Sequence, residues 1–275
     1  MASEERTVPL PDAQNPLLGR AYNEWLPRII GIGLGLGAWF WIAATFPEGL
    51  LPGPVSTGTA LYELIESGPV WEHLWATLSR SLIGFAGASV LGVIVGVLMG
   101  LSNFGERFST PYVIIGLSIP GIAWAAIWTI MTGLGGQAAI LATIVTVFPY
   151  VTLNVWKGVE NIDPDLLRMS RSFDISRGRL LKRMVLPSVA PALFTAGRFG
   201  LAISWKVETA AELFATSNGI GKRAFETFTR FQYSRTMAWA ALFVVVIILF
   251  EFVVFRPLER KVFEYRQDAD FDVLN

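Results

Sequence analysis

Asp-Pro-Asp-Leu-Leu-Arg-Met-Ser-Arg-Ser-Phe-Asp-Ile-Ser-Arg-Gly-Arg-Leu-Leu-Lys-Arg-Met-Val-Leu-Pro-Ser-Val-Ala-Pro occupies residues 163–191. It is a basic, amphipathic insert between hydrophobic runs that are long enough to cross a bilayer. Asp163-Pro164 is a helix start, with aspartate as N-cap and proline at the first helical position, where a missing N–H costs nothing. The pattern predicts one short helix over 164–173 and a second over 177–186, capped by Ser176 and ended by Pro187, with a turn at Asp174. Lys157, Arg168, Arg171, Arg177, Arg179, Lys182 and Arg183 make the loop basic. Attraction to anionic headgroups would account for that charge. It would not account for two capped helices, which point to a docking partner.

Working outward, the rest of the chain reads as membrane. Of its 275 residues, 53% are hydrophobic and 16% charged, whereas soluble domains average about 25% charged. Net charge is zero, so no overall field argues for nucleic acid. There are no cysteines, which excludes disulfides, thiolate metal sites and cysteine nucleophiles. His73, the single histidine, cannot anchor a multi-histidine site, so neither a metal nor a catalytic residue is expected. Polar residues run to Arg28 before any apolar core, unlike a signal peptide. Met1–Gly19 reads as a loose tail, and Glu4 and Glu5 argue against a transit peptide.

A helix needs about 20 apolar residues to span the hydrocarbon. Six candidates meet this at 29–46, 76–101, 110–132, 135–156, 189–214 and 237–255, giving an all-α polytopic membrane protein. Orientation follows from lysine and arginine placement. With both termini inside, the inner segments hold Arg6, Arg20, Arg28, Arg107, the basic loop, Arg256, Arg260, Lys261 and Arg266. The outer segments hold only Lys222, Arg223, Arg230 and Arg235. The expected organisation is a cytoplasmic tail over 1–28, a transmembrane domain over 29–256 with its loop at 157–188, and a second cytoplasmic tail over 257–275.

Within the spans, Gly84, Ala88, Gly92, Gly96 and Gly100 form a small-residue stripe that lets two helices approach closely. Packing inside the subunit is the plainer reading and a subunit interface the other. Gly31, Gly33, Gly35 and Gly37 form a weaker stripe that matches no nucleotide fingerprint. Pro120-Gly121 should kink or break the third span, and Trp124 and Trp128 follow on the face of Pro120. Such a helix either is simply kinked or lines a path. The fifth span carries Arg198, Lys206, Glu208 and Glu212. Intramembrane charge is costly and usually faces a bundle interior or a water-filled path. Glu208 and Glu212 share a face and Lys206 lies opposite, so the charges serve more than one environment. Pro120, Trp124, Trp128 and these four charged residues are the candidate translocation path. Arg198 and Lys206 either attract an anion or pair with neighbouring carboxylates. Glu212, near the outer end, either faces the path or reaches to the interface.

These features together resemble the permeases of binding-protein-dependent ABC importers, whose inner loop reads Glu-Ala-Ala, three residues, Gly, then a helix ending in Leu-Pro. Aligned on Leu186-Pro187, this chain has Arg168-Met169-Ser170 for the triplet and Asp174 for the glycine. Arg171-Ser172-Phe173, Leu186-Pro187-Ser188-Val189-Ala190-Pro191, Trp205-Lys206 and Ala211-Glu212-Leu213-Phe214 resemble the nitrate/sulfonate/taurine/bicarbonate branch. So do Trp71-Glu72-His73-Leu74 and Ser217-Asn218-Gly219-Ile220-Gly221, and the resemblance runs from residue 28 to 262. Arg168 reverses the usual charge, so either Asp165 takes over the acidic contact or the partner ATPase has a matching acidic site.

The resemblance implies a bacterial inner-membrane importer subunit whose coupling helices, at Asp165, Arg168, Met169, Arg171, Ser172, Phe173 and Asp174, grip a cytoplasmic ATPase dimer. It also implies a second permease copy and a periplasmic or lipid-anchored solute-binding protein that delivers a small anion or organic molecule. Segment 215–235 and the hairpin at 133–136 would meet that binding protein. ATP would be used by the partner: this chain has no G-x-x-x-x-G-K-[ST] loop and needs no cofactor of its own. An autonomous secondary transporter is the alternative, its basic loop serving only as a headgroup anchor. A single broken span argues against it, because that class tends to pair its breaks in two related halves.

Overall fold

Each long apolar run becomes a helix in the computed structural model, which describes residues 16–47, 49–163, 165, 172–173 and 176–259. In chain order these are α1 (Pro16–Thr45), α2 (Pro54–Glu66), α3 (Val70–Leu101), α4 (Asn103–Ser118), α5 (Gly121–Thr132), α6 (Gly136–Glu160), α7 (Arg177–Leu180), α8 (Leu186–Ala215), α9 (Ile220–Thr229) and α10 (Tyr233–Leu249). A π-helical turn, Leu181–Val185, joins α7 to α8, and another, Phe250–Phe255, extends α10. No strand occurs among the described residues. Among the described residues, five helical segments are long and apolar enough to cross a membrane: Trp25–Thr45, Val70–Leu101, Gly136–Glu160, Gly178–Ala215 and Tyr233–Glu259. A sixth span is formed if α4 and α5 are counted together. The fold is therefore the all-α polytopic one that the hydropathy predicts.

α4 and α5 meet at a 99° bend, so Pro120 breaks its span rather than kinking it. The residue before a proline is pushed out of the helical region, and Ile119 is extended (φ −88°, ψ 123°). Pro120 follows at φ −58°, ψ 140°, and the chain restarts as α5 in a new direction.

The small-residue stripe of α3 seats α6. A Cβ on Gly92 would stand 2.6 Å from Val151 Cβ, and one on Gly96 would stand 2.7 Å from Val155 Cβ. Gly84 meets Thr143 and Gly100 meets Val159 in the same way. The two helices run parallel, and every fourth position of one receives a branched side chain of the other. α8 and the π turn before it complete this core: Val185, Val189 and Ala196 pack with Val147, Val151, Val155 and Val159. The stripe thus serves packing within the subunit. In α1, by contrast, a Cβ on Gly31, Gly33, Gly35 or Gly37 would meet nothing within 4 Å.

Pro187, where the pattern predicts the end of a loop helix, does not end one in the structure. Helix runs unbroken from Gly178 to Ala215 over 38 residues, about 57 Å at 1.5 Å per residue. Pro187 sits in the first turn of α8. Just before it the Leu186 N–H donates to Leu181 O, five residues back. The wider π turn makes room for a ring that would clash with the carbonyl four residues earlier in a regular helix. The first predicted loop helix, at 164–173, lies almost wholly outside the described residues.

Candidate functional site

Three intramembrane charges converge where α3 meets α8. Arg80 of α3 projects between Glu208 and Glu212, which lie one turn apart on the face of α8 that packs into the bundle. Its Nε donates to Glu208 Oε1 at 3.0 Å, and its Nη2 pairs with Glu212 Oε1. Both carboxylates are 0% exposed and the arginine side chain 11%. Their remaining oxygens are also held. Thr143 Oγ1 of α6 donates to Glu208 Oε2 at 3.0 Å. Glu212 Oε2 accepts from Thr77 Oγ1 at 3.0 Å and from the Gly221 amide at 2.8 Å.

The same arginine fastens the segment that follows α8. Nη1 donates to Asn218 Oδ1 at 2.9 Å and Nη2 to the Asn218 carbonyl at 3.0 Å. Gly219 turns the chain at φ +120°, a left-handed value that favours glycine. A Cβ there would collide with the Glu212 carboxylate. Gly221 presses so closely on the Thr209 carbonyl that it too must lack a side chain. Ile220 N donates to Thr77 Oγ1 at 2.9 Å. An outer layer continues through His73, whose Nε2 accepts from Arg223 Nε at 2.8 Å, and Arg223 pairs with Glu226 at 2.7 Å. A neutral imidazole accepts at one nitrogen only, so the Gly219 amide, 3.3 Å from Nδ1, is the weaker approach. The result is a charge clamp that ties α3, α6, α8 and the 216–221 turn into one unit.

The expected path residues therefore divide. Glu212 does not reach toward the interface, because Arg80 draws it inward. Arg198 lies on another face of α8 and pairs with α10's extension: Nε donates to Glu251 Oε2 at 3.1 Å, Nη2 pairs with Glu251 Oε1, and Nη1 reaches Glu259 Oε2 at 3.3 Å. Lys206 is exposed on the side of α8 away from the clamp. Trp124 and Trp128 pack against the alanine cluster of Ala125, Ala138, Ala139, Ala142, Ala211 and Ala215, and both indole N–H groups are buried without a partner. Pro120 is exposed at the break, and Gly121 beside it abuts Val207, 3.1 Å from a built Cβ. Arg80 was not singled out from the sequence. Its signal was available: it is the basic residue inside a span otherwise occupied by apolar and small groups.

At the opposite end of α8, the loop is bracketed by α6 and α7. The Asp165 amide donates to Asp163 Oδ1 at 2.8 Å, as an aspartate that begins a turn does. Ser176 O accepts from the Arg179 and Leu180 amides at 2.9 and 3.0 Å, which starts α7. Among the coupling candidates, Ser172 and Phe173 are exposed, Phe173 by 70%. Arg168, Met169, Arg171 and Asp174 lie outside the described residues.

Comparison with known proteins agrees with this architecture. An aliphatic sulfonates transport permease protein, SsuC, of Escherichia coli (strain K12) is 31% identical over 234 residues, covering 83% of this chain and 86% of the relative. Its counterpart in Bacillus subtilis (strain 168) is 28% identical over 243 residues, covering 88% and 84%. The nitrate import permease protein NrtB of Synechocystis is 28% identical over 181 residues, covering 62% and 66%. In structure, the chain resembles a subunit of the MetNI methionine ABC transporter with a TM-score of 0.63 at 22% identity, over 70% of this chain and 95% of that one, a likeness of fold. Residues 88–264 match the family described as the binding-protein-dependent transport system inner membrane component, and this chain belongs to that family.

Proposed function

We propose that this importer permease carries a small oxyanion or sulfonate-bearing solute, delivered by an external binding protein and driven by ATP hydrolysis in a partner subunit. The relatives named for sulfonates and nitrate supply the solute class. The chain itself acts as a transport subunit without catalysis, and its sequence holds no phosphate-binding loop. Two copies assemble with two ATPases in the bacterial inner membrane, both termini on the cytoplasmic side. The tails at 1–28 and 257–275 flank the permease domain over 29–256.

The observation that carries this reading is the unbroken helix from Gly178 to Ala215. One end begins at the loop where the ATPase docks, through Asp165, Arg168, Met169, Arg171, Ser172, Phe173 and Asp174. The other ends at the clamp that holds the 216–221 turn beneath the binding-protein face. A force applied to the loop is thereby delivered across the bilayer by one rigid element. Only contacts that differ between the two states can shift the transport equilibrium, and the loop provides them. Pro120, Trp124 and Trp128 line the path, while Glu208 and Glu212 act in the wall behind it by fixing α8 to α3. Recovery of the chain from native membranes in mild detergent tests the assembly. A stoichiometric ATPase subunit is the expected companion; recovery of the chain alone, even after crosslinking, would favour the autonomous transporter.

A further inference from the structure

Lys206 stands two residues before Glu208, and its side chain faces the other way. The arc of α8 bearing Ser204, Trp205, Glu208 and Glu212 is buried. One flank of that arc packs on α5, through Val207 against Gly121. The other packs on α10 and its extension, where Trp205 stacks on Phe243 at 5.7 Å and Arg198 pairs with Glu251. The remaining arc presents Phe199, Lys206 and Phe214, all exposed, at helical spacing. No described element of the chain covers it.

The other ionisable groups of α8 are matched. Glu208 and Glu212 share Arg80, and Arg198 is held by Glu251 and Glu259. Lys206 makes no ion pair or hydrogen bond among the described residues. It also lies deep. It stands nine positions before Ala215, about 13.5 Å along the axis, further than a lysine side chain extends. Val207 beside it abuts the first residue of α5, so Lys206 leaves the helix near the level of the break at Pro120. A charge at that depth costs about 2.5–3.5 kcal/mol on insertion scales, and such groups face bundle interiors or water-filled cavities. Lipid is therefore a poor neighbour for this face, and an aqueous route a good one.

We propose that Lys206 is the specificity-determining cation of the translocation path, attracting the oxyanion or sulfonate group of the solute in transit. The inference rests on the importer reading above and narrows it to one residue, setting Arg198 aside because its charge is already met. Lysine suits the task. Its ammonium is a point charge on a flexible stem rather than a bidentate clamp, and a transit site must release what it attracts.

The absence of cysteine allows a clean test, since Lys206→Cys creates the one thiol in the chain. The chain, its ATPase and its binding protein are reconstituted in proteoliposomes, and uptake of labelled ethanesulfonate, taurine and nitrate is followed. Removing the ammonium should cut uptake of the transported anion by about tenfold, a modest fraction of a close charge–charge attraction at intermediate dielectric. Treatment with 2-aminoethyl methanethiosulfonate, which restores an ammonium at similar reach, should recover most of that loss. The 2-sulfonatoethyl reagent, which installs a negative charge, should not. Recovery after assembly separates the charge from any folding defect. Unmodified Lys206→Cys transporting like the parent, or equal recovery with both reagents, would overturn the proposal. ATP-independent behaviour of the parent itself would instead sink the importer reading.

Discussion

Removing Arg80 should be the most damaging single change in the membrane interior. Arg80→Ala leaves Glu208 and Glu212, both 0% exposed, one turn apart with no cation between them. Truncating one partner of a buried pair costs about 3–5 kcal/mol, largely because the remaining charge stays buried and unpaired. Thr143, Thr77 and the Gly221 amide still hold one oxygen of each carboxylate, which keeps the effect within that range rather than doubling it. At about 2–4 °C per kcal/mol for a chain approaching this size, the melting midpoint should fall by roughly 6–20 °C. The assay is thermal unfolding of the purified permease in mild detergent, followed by tryptophan fluorescence. The triple variant Arg80→Met, Glu208→Gln, Glu212→Gln removes charge from all three positions and should recover at least half of the loss. Arg80→Ala melting within about 2 °C of the parent, or a triple variant no better than the single, would refute the view that the clamp is held by charge.

Other substitutions test separate parts of the account. Gly92→Ala should lower stability by about 1–3 kcal/mol through overpacking against Val151, whereas Gly35→Ala, which meets nothing within 4 Å, should be silent in the same melting assay. Gly219→Ala combines a strained φ with a collision at Glu212, so it should cost about 1–3 kcal/mol and loosen the 216–221 turn, read as faster proteolysis there. Phe173→Ala or Met169→Asp should leave the chain in the membrane while uncoupling ATP hydrolysis from uptake. Normal uptake by either variant would show that the ATPase grips elsewhere.

The spans were legible because hydrocarbon thickness fixes both their length and their composition. The stripe from Gly84 to Gly100 was legible too, since close helix packing demands small residues at a four-residue repeat. The break at Pro120 followed from local sterics, and the structure adds its 99° bend. Pro187 was misread because proline normally stops a helix, and the π turn that accommodates it involves no residue type that marks it in advance. The charges of the fifth span were visible, but their partners were not. Arg80 lies 128 residues from Glu208 along the chain, and Glu251 lies 53 residues from Arg198. Pairing between spans depends on tertiary arrangement, which hydropathy does not encode. Helix α9 carries charges on a short segment and therefore left no hydropathy signal, although Gly219 and Gly221 marked the turn that starts it.

The most direct test of the central claim is ATP hydrolysis by the partner subunit in proteoliposomes, measured with and without this chain and with solute-loaded binding protein outside. The account predicts that loaded binding protein stimulates hydrolysis only when the chain is present, and that solute accumulates in step with ATP consumed. Solute accumulation by the chain alone, driven by an ion gradient and indifferent to ATP, would contradict it.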